Sequence, residues 1–431
     1  MGNPQLITDL FRAYYNARKN KRNTINQLKF ELNFEEEIFK LYNEIEARAY
    51  KPLREIAFIV NKPVKREIFA ADFRDRVVHH LLFGYLEPII GKQLIYDCYS
   101  CRKGKGTSSG INRAAKFLRS CSQNYQKDCY IMQMDISGYF MSINRELLYR
   151  KVNGMLQKEY EKCALLDKVV PFEKGRVDFL LQKTIFRNPA DNCLIKGARS
   201  DWNGLPDNKS LFFAQEGCGL PIGNLTSQLF GNVFLNDFDH WMKKSLGFSY
   251  YGRYVDDFFV IHPDKPYLLK VLPKIAGYLK VNEKLILHPN KTKINHHRSG
   301  FLFLGAVIKP YRLYIANRVK GNFYQALEKQ NKIIRDHKPS EEEKKQFISS
   351  INSYLGIMRR YKTYKIRKQM IKNQLSAWWW NLVLAKGGYQ KFVLNHRIIN
   401  HSLYENEKMG PFLLFLGIVD SVSKWGRVYF S

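Results

Sequence analysis

No run of apolar residues in the 431-residue chain approaches the ~20 needed to cross a bilayer; the longest, Phe412 to Val419, is far too short. The opening MGNPQLITDL lacks the basic stretch and apolar core of a secretion signal. Leu6 stands where a myristoylation pattern starting at Gly2 needs Ser or Thr. The expectation is a cytoplasmic chain with no membrane partner. Cysteine is sparse: seven residues, an odd number scattered along the chain, do not form the dense even framework of a small secreted domain, and are expected to be reduced thiols. Cys98 and Cys101 have zinc-ligand spacing, but no second such pair follows, and His79/His80 and His296/His297 are not spaced as ligands, so no zinc site is expected. Repeats and low-complexity tracts are absent. Acid is also scarce: 70 Lys plus Arg against 39 Asp plus Glu leaves a formal charge of +31.

What is present is a core-forming composition, 45% hydrophobic and 14% aromatic, which excludes disordered, collagen-like and fibrous classes. The positive excess calls for a polyanionic partner, nucleic acid ahead of anionic membrane, because neutralising phosphates releases condensed counterions. The charge is uneven. Between Lys344 and Tyr404 there is no Asp or Glu, where the chain average would put about five. Arg359, Arg360, Lys362, Lys365, Arg367 and Lys368 fall in this stretch among Tyr354, Tyr361, Tyr364 and Trp378 to Trp380. Helix surfaces normally mix signs for i,i+4 pairing, so an acid-free run of this kind points to nucleic-acid contact.

Along the chain, NFEEEIFKLYNEIEARAY places Phe34, Ile38, Leu41, Tyr42 and Ile45 at helical spacing, with Asn33 as the expected N-cap. A β-like run, IAFIV, begins at Ile56, and DFRDRVVHHLLFGYLEPII reads as a helix up to Pro88. After the loop CRKGKGTSSG and another helix, YIMQMDISGYF reads as a buried strand ending on Asp135. Residues 167–217 are polar with turn signals and read as a loop-rich insertion. FSYYGRYVDDFFVIH then gives two aromatic, β-rich runs with Asp256 and Asp257 at the apex of a hairpin.

A carboxylate pair in a turn is by itself ordinary turn chemistry. Asp135 at one strand end and Asp256 and Asp257 at a hairpin apex would converge if those strands are neighbours. Separated carboxylates brought together in this way suit two divalent ions for phosphoryl transfer, Mg²⁺ being the hard cation that keeps positions open for phosphate and water. GKGT at Gly104 to Thr107 lacks the upstream glycine of a P-loop and is read instead as a loop contacting nucleic-acid backbone through Lys103 and Lys105.

In order, MDISGYF, LPIGNLTSQ, YVDD, KTKI and FLFLG resemble the palm motifs of reverse transcriptases, over roughly Lys51 to Pro310. IGNLTSQ, with Ile222 before Gly223 and Gln228 after Ser227, looks like the diversity-generating retroelement group, since retroviral and group II intron enzymes typically carry Gln and Pro at those places. The segment NCLIKGARSDWNGLPDNKSLFF resembles the same group. The resemblance implies an α+β fold of the right-hand polymerase kind: an N-terminal helical extension (1–55), fingers (56–134), a ferredoxin-like palm (135–310), a helical basic thumb (311–395) and a C-terminal extension (396–431). It implies Asp135, Asp256 and Asp257 as ligands of two Mg²⁺ or Mn²⁺ ions, and Phe140 as a steric gate beneath the sugar, with a core aromatic as the alternative. Lys65 and Arg66 would grip the triphosphate, with Arg74 competing. Lys291 would be the general acid at the leaving pyrophosphate, with Lys293 as substitute. Ile222, Gly223, Gln228 and Tyr254 would border the incoming nucleotide, and FLFLG would form a primer grip.

The expected activity is RNA-directed DNA synthesis from deoxynucleoside triphosphates, a template RNA and a primer strand, with errors at template adenines and a small basic accessory protein as partner. A group II intron, retron or antiviral-defence enzyme would share the carboxylates. A non-catalytic RNA chaperone on the same fold is the alternative of another class.

Overall fold

A computed structural model describes residues 4–19, 24–61, 64–170 and 172–395; the expected C-terminal extension and the Phe412 to Val419 run lie outside the described residues. The chain divides into two compact units, residues 1–295 and 296–431. Among the described residues no helix is long and apolar enough to cross a membrane.

The first unit opens with three helices, α1 (Pro4–Arg18), α2 (Ile25–Leu32) and α3 (Phe34–Glu46). Ile38, Leu41 and Ile45 of α3 are buried as their spacing predicts, while Asn33 occupies the cap position without a side-chain hydrogen bond there. β1 (Glu55–Val60) and β2 (Arg66–Ala70) form an antiparallel hairpin. α4 (Phe73–Gln93) follows, capped by the Asp72 side chain accepting from the Arg74 amide. It buries residues all round, from Phe73 through Leu82 to Ile90, as a helix packed on every side must. The expected stop at Pro88 does not occur. The proline removes one helical hydrogen bond, but Leu86, Ile89 and Ile90 are buried around it, and that burial offsets the loss.

Next come α5 (Thr107–Cys121), β3 (Tyr130–Asp135), the short α6 (Tyr139–Ser142), α7 (Arg145–Leu165) and α8 (Lys174–Ile185). The polar stretch after α8 contains one strand, β4 (Cys193–Ile195), and four 3₁₀ turns. β4 pairs in parallel with β1, so this insertion extends the hairpin into a three-stranded sheet of order β2-β1-β4. α9 (Leu225–Phe234), α10 (Asn236–Lys244), β5 (Tyr251–Tyr254), β6 (Asp257–His262), α11 (Lys265–Tyr278) and β7 (Lys293–His296) complete the region, with strand order β5-β6-β3-β7. One core joins α1, α4, α7, α9 and the inner faces of β3 and β6.

The second unit, described to residue 395, contains β8 (Phe301–Phe303), β9 (Ala306–Lys309) and β10 (Arg312–Ile315) in an antiparallel meander, then α12 (Asn317–Asp336), α13 (Glu341–Met358), α14 (Tyr364–Gln374) and α15 (Ala377–Leu382), and a hairpin of β11 (Val383–Lys386) and β12 (Lys391–Leu394). Its own core includes Phe323, Phe347, Ile351, Leu355 and Trp379, with the Phe347 and Trp379 rings stacked at 3.9 Å. The FLFLG motif forms β8 and the turn into β9.

Candidate active site

The run YIMQMD buries Ile131, Met132 and Met134 in the core and carries β3 to its last residue, Asp135. β3 and β6 are antiparallel neighbours in a register that sets Asp135 opposite Asp257. β5 and β6 pair with Tyr254 opposite Asp257, leaving Val255 and Asp256 as a two-residue turn. The three carboxylates therefore meet at one end of the sheet.

The turn is strained. Val255 has φ +58°, a conformation that a β-branched residue adopts at a cost of about 1–3 kcal/mol. The surrounding structure holds it there. Arg253, fully buried, donates from Nη1 to the Val255 carbonyl at 2.9 Å. The same guanidinium makes a two-pronged pair with Asp239 of α10, at 2.7 and 2.6 Å, and Asp239 also accepts from the Tyr251 hydroxyl at 2.6 Å. Neither residue was singled out from sequence. The available signal was an arginine inside an otherwise aromatic strand, a charge that must find a partner when buried.

Burial, together with repulsion from Asp135, pushes the Asp256 carboxyl up to about 6. Burial and the charges of Asp256 and Asp135 push Asp257 up to about 7. Lys291 lowers both, and Arg66 also lowers Asp256. The Lys291 ammonium forms an ion pair with Asp135 Oδ2 at 2.6 Å, and the backbone is tied in because the His288 amide donates to the Asp135 carbonyl at 2.7 Å. Three half-buried carboxylates, two of them with raised proton affinity, form a hard-oxygen donor set that fits divalent cations.

A second apolar cluster collects Ala57, Phe69, Met141 and Leu211, with Phe140, Trp202, Phe212 and Ile222 packed against it. Phe140 is half-buried on α6, and a Cβ added at Gly231 would lie 3.3 Å from its ring. The Ile222 carbonyl accepts from the Phe69 amide at 2.8 Å, joining the IGNLTSQ turn to β2. Gly223 has φ +136°, and a Cβ there would collide with the Phe69 carbonyl, so glycine alone fits. Asn224 is clamped from below: its amide donates to Glu55, whose carboxyl burial pushes up to about 7, and its carbonyl oxygen accepts from the Ala71 amide. Gln228 is exposed at the start of α9 and accepts from the Cys101 thiol at 3.0 Å.

Of the remaining sequence candidates, Arg66 is exposed at the start of β2, and Lys65 donates to the Asn203 carbonyl at 2.6 Å. Arg74 is turned away from the carboxylates. It is buried, ion-paired to Glu44 of α3 and bonded to the Lys51 carbonyl, which makes it a brace for the N-terminal helices. Lys293 is exposed on β7. Lys103 is exposed, while Lys105 sits 3.1 Å from the centre of the Tyr96 ring and donates to the Tyr96 carbonyl.

In the second unit Arg359, Arg360, Lys362, Lys365 and Lys368 are exposed, but Arg367 is not. It lies four residues after buried Thr363 and four before buried Ile371, on the inward stripe of α14, and is 4% exposed. Its expected place on the basic face is therefore corrected.

The family described as "Reverse transcriptase (RNA-dependent DNA polymerase)" matches residues 63–308. Protein YkfC of Escherichia coli strain K12 is 22% identical over 315 residues, covering 65% of this chain and 73% of that protein. Among solved structures, apo telomerase of Candida tropicalis truncated from its C-terminal domain is similar with a TM-score of 0.42 and 14% identity over 63% of this chain. Telomerase of Candida albicans with a fragment of telomeric RNA gives 0.44 and 10% over 80% of this chain. This chain spans 58% and 59% of those two telomerase chains. Because the family match covers more than half of its residues, including all three carboxylates, the chain belongs to the reverse transcriptases, RNA-dependent DNA polymerases.

Proposed function

We propose that this reverse transcriptase copies a template RNA into complementary DNA with reduced accuracy at template adenines, as a member of the diversity-generating retroelement group. The convergence of Asp135, Asp256 and Asp257 at one sheet end carries the catalytic part of the reading. Two Mg²⁺ or Mn²⁺ ions held by these carboxylates would activate the primer 3′-hydroxyl and neutralise charge on the leaving pyrophosphate. Lys291, paired with Asp135, would hand a proton to that leaving group. Arg66, which acts electrostatically on Asp256, and the neighbouring Lys65 would hold the triphosphate oxygens. Phe140, half-buried above Gly231, would form the floor that a 2′-hydroxyl cannot share.

The exposed Lys103 and the outward-facing Arg359, Arg360, Lys362, Lys365 and Lys368 would contact nucleic-acid phosphates. The retroelement group brings with it a small basic accessory protein that helps present the template.

Ile222 supports the low-fidelity part. Its side chain belongs to the apolar cluster that includes Phe69 and Phe140, so position 222 offers no side-chain amide to read the geometry of a base pair. Apolar contacts discriminate among flat, similarly sized partners less well than polar groups that are left unpaired by the wrong one. Ile222→Gln is expected to lower misincorporation opposite template adenine by about tenfold, equivalent to ~1.4 kcal/mol of added discrimination. Sequencing products made on an adenine-rich RNA template checks this, and an unchanged error spectrum would detach fidelity from Ile222.

A further inference from the structure

The insertion between α8 and the IGNLTSQ turn has no place in the chemistry described so far, yet its contacts converge on the nucleotide side of the site. Glu67 directly follows Arg66 in β2 and is 1% exposed. Its carboxylate accepts three hydrogen bonds from the insertion: Trp202 Nε1 and Ser210 Oγ donate to Oε2, and the Leu211 amide donates to Oε1, each at 2.6 Å. A buried carboxylate with three short donors is a firm anchor, because losing one partner leaves buried polar groups unmet. Lys65, on the other flank of Arg66, donates to the insertion's Asn203 carbonyl.

The same segment reaches the strand that ends on Asp135. Asn208 donates to Ser137 Oγ at 3.2 Å, and its carbonyl lies so close that a Cβ at Gly138 would stand 2.5 Å away. Phe212 packs against Phe69 and Trp202, and Leu211 enters the cluster that includes Phe140 and Ile222. One short segment thus touches the triphosphate hairpin, the loop after Asp135 and the cluster beneath the nucleotide.

From these contacts we infer that the insertion is a brace that sets the β1–β2 hairpin over the carboxylates, with Glu67 as the positioning residue that holds Lys65 and Arg66 in place for the incoming nucleoside triphosphate. The inference rests on the polymerase reading above. Glu67 does not touch the substrate; it fixes the register and tilt of the strand that carries the cations.

Glu67→Gln keeps the shape but faces one of the N–H or O–H donors with an amide. It is expected to raise KM for deoxynucleoside triphosphate about tenfold while kcat stays within about threefold. Trp202→Phe keeps the ring against Phe212 and removes only the N–H, and should shift KM in the same direction by about threefold. Hydrogen exchange at the amides of residues 68–70 should accelerate in Glu67→Gln. Wild-type KM with unchanged exchange in both variants overturns the brace. So does a loss of folded, active enzyme at unchanged KM, which is what a purely structural residue would give. If the wild type incorporates no nucleotide, the polymerase reading has failed, and the exchange rates decide the brace by themselves.

Discussion

Asp239→Ala is expected to destabilise the protein by about 3–5 kcal/mol, because it leaves the Arg253 guanidinium buried without its counter-charge. Both side chains are fully buried, and their pairing is completed by the Tyr251 hydroxyl and the Asn232 carbonyl. The guanidinium also holds the Val255 carbonyl, so the loss should reach the turn that presents Asp256. A double replacement, Asp239→Leu with Arg253→Met, separates the two consequences. Removing both charges avoids the unpaired ion and should recover most of the stability, whereas the turn stays unanchored and primer extension stays low. Urea denaturation midpoints read the first effect and extension rates the second. Recovery of both in the double variant would show that the ion pair has no part in holding the turn.

Asp256→Asn is expected to reduce nucleotide incorporation by about 10³-fold or more, since a carboxylate that holds a catalytic cation is tied to several kcal/mol of transition-state stabilisation. Its effect on stability has the opposite sign. A carboxyl whose folded pKa is raised binds its proton more tightly in the folded state, so its contribution is greatest at low pH and is lost as pH rises through about 6 for Asp256 and about 7 for Asp257. In chelator, the wild-type melting temperature should therefore fall between pH 5 and 7.5. The fall should be shallower in Asp256→Asn, which removes one buried charge and relieves Asp257. Mg²⁺ at pH 7.5 should raise the wild-type value more than the variant's. Equal pH slopes in the two proteins would contradict this account of the carboxylate cluster.

How much could be read from sequence follows from the range over which each feature is determined. β3, and the hairpin carrying Asp256 and Asp257, are written locally in apolar and aromatic runs around a turn, and the register of β3 with β6 brings the carboxylates together. The turn at Gly223 is legible for the same reason: a glycine is needed where the backbone passes the Phe69 carbonyl. Glu67 and Asp239 are different. Each is one charge in an apolar stretch, and its partner is fixed only by folding; the donors to Glu67 lie 135 to 144 residues away. Charge composition marks the acid-free stretch as basic but carries no helical phase, so the inward position of Arg367 is not legible in it. The insertion reads as loop because its apolar residues, Trp202, Leu211 and Phe212, are few and have no period; they find their core only by folding against β2.

The most direct test of the central claim is extension of a DNA primer annealed to an RNA template by the full chain in Mg²⁺, side by side with Asp256→Asn. The account predicts template-directed incorporation of deoxynucleotides by the wild type and about 10³-fold less by the variant. Equal incorporation by the two proteins would contradict the assignment of catalysis to the carboxylates at the ends of β3 and β6.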